Sequence, residues 1–391
     1  MMKQPSSVVE LLVHMVSFDT VNEVTSKVPF PERKMLESIE DLAQAWGFNT
    51  THLPIASNPE DASYNLLITY ESSADAPWLA FESHADTVTV EGMTEAPFLA
   101  AIKDGRVYGR GVCDTKGSGA AMLWALREYA ALPKHTNNIA ILFVTDEEEQ
   151  KTGATAFVQK QLSKIDWTPV GIVVGEPTKC TVIVAHNGVY RTRIRTRGVA
   201  AHSSNPANGK SAISAMAKLI LQFEKEYCSK IDFTHPLTGS AACSVNTISG
   251  GSAVNIIPEY CEVKIDRRIL PGEDGNKIHD QIGKVLNSIM EEDPSIEIET
   301  FVPFIDFPLD PALGTAFGEK ISEILVGLGL TGERFGAPYG TDASTYSVAG
   351  IPAVVLGPGS VDQAHTKDEW IEVDQLEKAI SVYVEIMKST F

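Results

Sequence analysis

The sequence predicts an α/β protein with a mixed, largely parallel sheet and a smaller inserted α+β domain. Apolar runs alternate with helical patterns through the first half of the chain, which is typical of βαβ units. Near residue 184 the pattern changes to half-exposed strands of alternating polarity, and near residue 303 the first pattern returns. These changes predict that residues 1–183 and 303–391 form one domain and that residues 184–302 form the other.

The elements of the first domain follow from apolar runs and from glycine and proline positions. Pro31 suits the first turn of a helix and Gly47 its end, whereas Gly117 and Gly119 allow close approach of another backbone. Uniformly apolar runs predict buried strands. In chain order we expect a helix that starts near residue 8, a helix over 31–46, strands over 64–70 and 77–81, a helix over 115–132, and strands over 139–144 and 171–174.

The order β-α-β-β-α-β predicts an inserted domain of the ferredoxin-like type. Its strands alternate in polarity and its helices carry apolar residues at helical spacing. The expected elements are a strand over 189–197, a helix over 211–227, strands over 244–248 and 261–265, a helix over 273–290 and a strand over 296–299. Beyond this domain we expect a strand over 352–356 and a helix over 375–387 that is capped by Asp374.

Composition narrows the functional classes. The 391 residues have a mean hydropathy of −0.03 and a formal net charge of −19, and without a basic stripe such a chain is unsuited to nucleic acid. No apolar run approaches the roughly 18–20 residues that span a bilayer. The N-terminus lacks the apolar stretch of a signal peptide, and the five cysteines form no disulfide framework. We therefore expect a cytoplasmic protein with neither nucleic acid nor a membrane as partner.

His84 and Asp86 close the apolar strand over 77–81. Open α/β sheets bind their ligands at the carboxyl ends of strands. In an extended chain, residues two apart lie on the same side, so the Asp86 carboxylate could reach the ring of a metal-binding His84. A surface or structural pair is the alternative, because His-x-Asp alone is a weak signal.

Asp114 stands directly before the glycine-rich start of the helix over 115–132. A carboxylate there could bridge two metal ions, oriented by neighbouring N–H groups. One alternative is an ordinary N-cap. A phosphorylated aspartate is a further alternative, which is disfavoured because no partner acidic motif follows.

Three further strand ends carry ligand chemistry. The acidic run 146–149 follows the strand over 139–144, and adjacent carboxylates repel one another unless a cation compensates. Since neighbouring side chains diverge in direction, Glu148 could ligate a metal while Glu147 handles a proton. Glu176 and His365 each follow a further strand. The alternatives are an acidic helix start, an ordinary strand exit and a solvated loop histidine.

Together these strand ends supply two histidines and three carboxylates. That set suits two zinc-like ions that share a bridging carboxylate. Coincidence is a poor explanation for this set, because several of its residues directly follow apolar strands in the same α/β half of the chain.

Five motifs, in this order, resemble those of the co-catalytic zinc aminoacylase and carboxypeptidase family of metallopeptidases. That family includes acetylornithine deacetylase and succinyl-diaminopimelate desuccinylase, and the resemblance covers nearly the whole chain. The motifs are His84-Ala85-Asp86-Thr87-Val88, Gly109-Arg110-Gly111-Val112-Cys113-Asp114-Thr115-Lys116-Gly117, Thr145-Asp146-Glu147-Glu148, Gly175-Glu176-Pro177-Thr178 and Gln363-Ala364-His365.

The resemblance implies a zinc-peptidase-like catalytic domain with two zinc ions, for which cobalt can substitute. It assigns His84 and Glu176 to one zinc, Glu148 and His365 to the other, and Asp114 to both.

The resemblance also implies roles beside the metal. Asp86 would support His84, and Glu147 would be the general base that takes a proton from the attacking water and returns it to the leaving amine. A cis peptide bond between Asp114 and Thr115 is a further expectation, because family members often have one after the bridging aspartate.

For the inserted domain, the resemblance implies dimerisation. His202 would reach into the partner subunit and stabilise the tetrahedral oxyanion. Asn255 and Arg268 match the family's substrate-binding pair, in which arginine holds a substrate carboxylate. An exposed strand arginine is the alternative for Arg268. Gly340 and Thr341 are expected near the substrate.

The activity implied is removal of the acyl group from an N-acyl amino acid by a homodimer. The strings over 357–360 and 363–370 resemble acetylornithine deacetylases most, and Asp342 could suit a basic substrate tail. A succinyl-diaminopimelate desuccinylase and another N-acyl-amino-acid or dipeptide hydrolase of the family are the alternatives. A non-enzymatic metal-binding relative would be expected to lack Glu147 or a ligand, and this chain has them all.

Overall fold

The computed structural model of the protein describes residues 4–55 and 63–391. These residues divide into two compact units. The first unit comprises Met1–Val184, Pro311–Phe335 and Thr341–Phe391, and the second comprises Ala185–Asp310 and Gly336–Gly340. The chain therefore leaves the first unit twice and returns to it twice.

Up to residue 186 the chain alternates helices with strands, and each helix and strand predicted for this part is present. Ser7 caps the first helix, because its hydroxyl accepts a hydrogen bond from the Glu10 amide at 3.2 Å. The elements are α1 (Val8–Val16), α2 (Glu23–Ser26), α3 (Arg33–Ala45), β1 (Asn49–Pro54), β2 (Tyr64–Tyr70), β3 (Trp78–His84), β4 (Ala101–Lys103), β5 (Arg106–Tyr108), α4 (Lys116–Ala130), β6 (Asn138–Val144), α5 (Thr152–Ala156), a π-helical turn (Phe157–Gln161), a 3-10 turn (Leu162–Lys164), β7 (Pro169–Val174) and β8 (Val182–His186).

The next segment contains the strands and helices expected of the inserted domain. Ser211 caps its first long helix and Asp274 caps the second through their side-chain oxygens. The elements are β9 (Gly188–Arg197), β10 (Ala201–His202), a 3-10 turn (Pro206–Asn208), α6 (Ala212–Glu226), a 3-10 turn (Cys228–Lys230), β11 (Thr234–His235), β12 (Gly239–Ser240), β13 (Ala242–Gly250), β14 (Ile256–Ile257), β15 (Tyr260–Ile269), α7 (Gly275–Glu292), β16 (Glu297–Thr300) and β17 (Phe304–Asp306).

The C-terminal segment ends on a helix whose predicted cap is wrong. Glu372 occupies the N-cap position, with extended backbone at φ −75° and ψ 134°, because the preceding strand runs directly into the helix. Asp374 lies inside the first turn, where its charge favours the helix dipole. The elements are α8 (Pro311–Gly327), β18 (Arg334–Ala337), α9 (Ala343–Val348), β19 (Ala353–Val355), β20 (Trp370–Glu372) and α10 (Val373–Lys388).

A mixed eight-stranded sheet with the order β1-β2-β6-β3-β7-β19-β8-β18 organises the first unit. The four central strands, β6, β3, β7 and β19, are parallel. Antiparallel pairing begins on either side, between β2 and β6 and between β19 and β8. The carboxyl ends of the central strands therefore meet at one edge, as the βαβ pattern predicts.

The second unit has a ferredoxin-like arrangement. Its main antiparallel strands follow the order β13-β15-β9-β16, and β17 pairs with β9 after β16. The helices α6 and α7 pack against β9 and against each other, and their apolar residues form one core. Arginines of β9 form ion pairs with acidic residues of β15 and β16, among them Arg195 with Glu262 at 2.8 Å. This pattern explains the alternating polarity of the strands.

In the first unit, α4 packs closely on the strands that carry the candidate site. The helices α1, α4 and α10 contact one another and share an apolar core with β3 and β6. Gly119 makes the close approach possible, because a Cβ atom there would lie 2.6 Å from the Phe143 ring and 3.0 Å from the Ser83 hydroxyl. Across residues 4–55 and 63–391, no helix is both long enough and apolar enough to cross a membrane.

We expect Gly119→Ala to lower the melting temperature. Alanine raises helix propensity by about 1 kcal/mol, whereas overpacking of a closed core costs about 1–3 kcal/mol. The second effect outweighs the first because the added Cβ would overlap the Phe143 ring. Thermal unfolding followed by circular dichroism measures the change.

Gly283→Ala is the matched control. Gly283 lies inside α7, and a Cβ atom there would have no neighbour within 4 Å. This variant should melt at or above the wild-type temperature. If Gly119→Ala behaved in the same way, α4 could not pack as closely as described.

Candidate metal centre

The parallel strands bring the predicted site residues to one edge of the sheet. His84 is the last residue of β3 and lies in register with Val144 at the end of β6. Val174 at the end of β7 is in register with Val355 of β19. The segments that follow β6, β7 and β19 carry Glu148, Glu176 and His365, so the sheet itself gathers residues that are far apart in sequence. Asp114 joins them from the segment between β5 and α4.

Asp114 lies between two imidazoles. Its Oδ1 atom is 3.0 Å from His84 Nε2, and its Oδ2 atom is 3.2 Å from His365 Nε2. The same nitrogen of His365 lies 3.0 Å from Glu148 Oε2, and His84 Nε2 lies 4.0 Å from Glu176 Oε1. The Asp114 carboxylate therefore places one oxygen beside the pair of His84 and Glu176. Its other oxygen lies beside the pair of His365 and Glu148.

The donor atoms suit a metal site. Within the described part of the chain, two overlapping groups place one ligand atom per residue within 4.8 Å of one another, namely His84 with Asp114 and Glu148, and His84 with Glu147 and Glu176. Imidazole nitrogens with carboxylate oxygens are the ligands of co-catalytic zinc. The second group includes Glu147. Its carboxylate therefore lies close to the ligand-type atoms of His84 and Glu176, and the residue also adjoins Glu148 in sequence.

Several carboxyl groups are buried at this edge, and burial disfavours their ionised forms. Burial raises the pKa of Glu148 to about 8, and the nearby Asp114 adds to the effect. Burial also raises the pKa values of Glu147 and Glu176. For Asp114, hydrogen bonds from His365 and His84 outweigh the effect of burial and keep its pKa below the usual value. Because like charges in a dry site repel, a divalent cation would stabilise the ionised forms.

Asp86 holds the loop that carries Glu147 and Glu148. Its Oδ1 accepts a hydrogen bond from the Glu147 amide at 3.0 Å, and its Oδ2 accepts one from the Glu148 amide at 3.2 Å. His84 Nδ1 lies 3.1 Å from the Asp86 carbonyl oxygen and 3.5 Å from Oδ1. The carbonyl is thus the nearer partner of the imidazole, and the carboxylate mainly orders the acidic loop.

The structure contradicts two of the alternatives to metal ligation, the acidic helix start and the N-cap at Asp114. Residues 147–150 form a turn, and α5 begins only at Thr152, so the acidic run is not a helix start. Thr115, and not Asp114, occupies the N-cap position of α4. The peptide bond between Asp114 and Thr115 is cis, as expected.

Two residues of this network were not predicted from the sequence. Asn22 donates hydrogen bonds to Asp86 and Asp146. Glu369 is 1% exposed, pairs with Arg110 at 2.8 Å, and accepts hydrogen bonds from three amides of the loop before α4, those of Gly111, Cys113 and Asp114. Glu369 lies inside the string over 363–370 and is near His365 in sequence, whereas nothing distinguishes Asn22 from an ordinary polar residue.

Three predicted residues lie in the second unit. His202 of β10 is exposed, and its Nδ1 lies 2.7 Å from the Ser204 hydroxyl. Asn255 lies beside it, because the Asn255 carbonyl accepts the Ser203 amide at 3.0 Å. Arg268 is partly exposed and its Nε lies 2.9 Å from Asp266 Oδ1. Their roles in substrate binding stay predictions.

The segment over 340–342 was expected near the substrate. Gly340 belongs to the second unit and Thr341 to the first. Thr341 is buried, and its carbonyl accepts a hydrogen bond from Lys151 Nζ at 2.7 Å. Asp342 is fully buried, and within the described ranges neither of its carboxylate oxygens has a hydrogen-bond partner. A contact between Asp342 and a basic substrate tail would therefore require rearrangement.

Comparisons with known proteins show the family of the chain. The model of Peptidase family M20/M25/M40 matches residues 80–389. An acetylornithine deacetylase of Klebsiella pneumoniae (strain 342) is 31% identical over 349 residues, which cover 86% of each chain. One from Buchnera aphidicola subsp. Schizaphis graminum (strain Sg) is 26% identical over 398 residues, which cover 100% of this chain and 99% of that one.

Solved structures share the fold. The aminopeptidase PepT of Bacillus cereus superposes with a TM-score of 0.76 at 22% identity, over 97% of both chains. A dinuclear metal-binding peptidase of the M20 family from Bacillus subtilis superposes with a TM-score of 0.70 at 15% identity, over 97% of this chain and 96% of that one.

The fold and the carboxylate-histidine cluster define a metal-dependent hydrolase. The chain belongs to Peptidase family M20/M25/M40. It is therefore an enzyme of the metallopeptidase and amidohydrolase class, with a candidate metal site at the carboxyl edge of its first sheet.

We expect the metal-free protein to lose stability as the pH rises from about 5 to 7. The folded-state pKa of Glu148 is raised from 4.5 to about 8 and that of His365 from 6.5 to about 11. The folded state thus binds more protons than the unfolded chain in this range, and its stability falls as these extra protons are withdrawn. Melting temperatures of chelator-treated protein across the pH series measure this slope.

Zinc should reverse the slope. Ligands must be deprotonated to bind a metal, so zinc binds more tightly as the pH rises. With zinc in excess, the melting temperature should hold or increase from pH 5 to 7. Glu148→Gln removes one titrating group and should flatten the metal-free slope. A metal-free melting temperature that rises with pH would contradict the described charge arrangement.

Proposed function

We propose that this enzyme is a zinc-dependent deacylase of N-acyl amino acids, with N-acetylornithine as its substrate. The observation that carries the proposal is the position of Glu147, which is next to the predicted ligand Glu148 and whose amide donates to the Asp86 carboxylate at 3.0 Å. A proton acceptor at that place is what amide hydrolysis requires. Relatives named acetylornithine deacetylase, at 26% and 31% identity, support the choice of substrate.

The chemistry of the site follows from its residues. His84 and Glu176 would hold one zinc, Glu148 and His365 the other, and Asp114 both. Zinc bound there would polarise the amide carbonyl and increase the acidity of water.

Glu147 takes a proton from the attacking water and then delivers it to the departing amine nitrogen. The bond between the carbonyl carbon and nitrogen breaks, and acetate and the free amino acid leave. Burial raises the pKa of Glu147, while Lys151 and His84 moderate the increase. A carboxyl group with a raised pKa can both accept and return the proton near neutral pH.

Substrate recognition is assigned to the second unit. Arg268 would bind the substrate α-carboxylate through its terminal guanidinium nitrogens, since its ion pair with Asp266 uses Nε. Asn255 would lie near the acyl carbonyl, with Gly340 and Thr341 close to the substrate. His202, beside Asn255 on an exposed strand, would act in the partner subunit of a homodimer.

The proposed setting is the cytoplasm. All five cysteines are free thiols, as suits a reducing compartment. Release of ornithine would serve arginine biosynthesis.

A panel of N-acyl amino acids tests the substrate. With zinc or cobalt, we expect the highest kcat/KM on N-acetylornithine, a lower value on N-succinyl-diaminopimelate, and the lowest on dipeptides. A ninhydrin assay for released amine measures all three. A maximum on dipeptides or on the succinyl compound would replace N-acetylornithine by that class.

Glu147→Gln is the control for the mechanism. It keeps the side-chain volume and removes the base, so kcat should fall by about 10²–10⁴-fold. Zinc content, measured by atomic absorption, should remain that of the wild type. Full activity of this variant would eliminate Glu147 as the base.

Mixing two inactive variants tests the role of His202 in the partner subunit. His202→Ala and Glu147→Gln should each be inactive as homodimers. Random re-association makes about half of the dimers mixed, and each mixed dimer has one intact site if His202 acts in the partner. We expect about a quarter of the wild-type activity to return. No recovery, in samples shown by native mass spectrometry to contain mixed dimers, would place His202 in its own subunit or outside the reaction.

A further inference from the structure

Asn22 is a buried polar residue in a segment that carries no predicted function. It is 1% exposed and is the N-cap of α2, where its Oδ1 accepts a hydrogen bond from the Val24 amide at 2.8 Å. The backbone amide of Asn22 donates to the Thr87 carbonyl at 2.9 Å. These contacts hold the residue next to the loop that follows His84.

The side-chain amide of Asn22 lies between two carboxylates. Nδ2 is 3.0 Å from Asp86 Oδ2 and 2.9 Å from Asp146 Oδ1. An ionised carboxylate only accepts hydrogen bonds, so both partners require the NH2 group and settle the orientation of the amide. Each of its two hydrogens then serves one carboxylate.

Both carboxylates control the loop that carries Glu147 and Glu148. Asp86 accepts the amides of these two residues at 3.0 and 3.2 Å. Asp146 directly precedes them, adopts a φ of 59°, and bonds the Thr152 hydroxyl through its second oxygen at 2.7 Å. Without a donor between them, Asp86 and Asp146 would face each other as like charges in a buried site.

We propose that Asn22 is a positioning residue of the hydrolytic site. Its amide holds Asp86 and Asp146 together, and through them it sets the places of Glu147 and of Glu148. The inference rests on the proposed hydrolysis for its kinetic part. Within the described part of the chain, the side-chain hydrogen bonds of Asn22 go to Asp86, Asp146 and the Val24 amide, so its effect on the site passes through the two carboxylates.

Two substitutions that keep the number of side-chain heavy atoms separate the charge effect from the loss of donors. Asn22→Leu removes both donated hydrogen bonds and the cap on the Val24 amide. Asn22→Asp keeps an oxygen for that cap and replaces the donor by a third carboxylate. With zinc in excess, we expect kcat to fall by about 10–100-fold, the usual effect of removing a residue that orients metal ligands. KM should stay close to the wild-type value, and Asn22→Asp should be the worse of the two.

Asn138→Leu and Asn138→Asp are the matched controls. Asn138 is equally buried, and its Nδ2 donates to the Ser73 and Ala76 carbonyls at 2.9 and 3.0 Å. It starts β6 at the end opposite to the candidate site. These variants should lower the melting temperature without changing kcat per folded molecule. If the Asn22 variants lost only stability, in the same manner, the proposal would be overturned.

A double variant that exchanges the side chains of residues 22 and 146 tests whether activity can be restored. Asn22→Asp combined with Asp146→Asn restores one amide-carboxylate pair in the opposite sense, and kcat should recover in part relative to Asn22→Asp alone. Equal or lower kcat in the double variant would overturn the pairing. This comparison does not depend on folding yield, because it is made per folded molecule.

Cobalt binding distinguishes failure of this inference from failure of the proposed function. Asn22→Asp should weaken cobalt binding by about 10–100-fold in competition with a chelator and should change the visible spectrum of the bound ion. If the wild-type protein cleaved no N-acyl amino acid but this change occurred, the proposed function would fail and the positioning role would stand. Unchanged cobalt affinity together with unchanged kcat would reject the positioning role alone.

Discussion

Like charge is concentrated at the carboxyl edge of the first sheet, and much of the surrounding structure compensates for it. Asp114, Glu147, Glu148 and Glu176 converge there on two imidazoles. Several carboxylates brought this close and removed from water repel one another, so the arrangement is stable only with protons or with cations. The family to which the chain belongs and the donor atoms both favour cations. The stability of this edge and its candidate metal site therefore depend on the same groups.

Two further carboxylates hold the loops of this edge by accepting backbone amides. Asp86 accepts the amides of the loop after β6, and Glu369 accepts three amides of the loop before α4. Each satisfies N–H groups that lie outside regular structure, which are costly to leave unpaired in a buried region. Their negative charges are in turn balanced by donors from distant segments, Asn22 in one case and Arg110 in the other. The loops of the candidate site are therefore ordered by charge as much as by apolar packing.

The sequence predicts the sheet and the ligand set well because both follow from local patterns. Apolar runs such as those of β2 and β6 are buried on both faces, and a polar residue at the end of such a run stands out. Short strands such as β4 and β5 lack this contrast, and the pairing of β5 with β20 depends on residues far along the chain. Asn22 could not be recognised for the same reason, since its partners lie 64 and 124 residues away. The N-cap of α10 was misplaced because β20 leads into the helix without a turn.

The position of β19 in the sheet has a consequence for the order in which the first unit can form. This strand lies between β7 and β8, although it is made about 170 residues after them. During synthesis, β7 and β8 emerge early and must wait, without their common neighbour, until the whole second unit has been made. Contacts that close such long loops are slow to form. The newly made first half therefore exposes unpaired strand edges until β19 is added, and such edges favour aggregation.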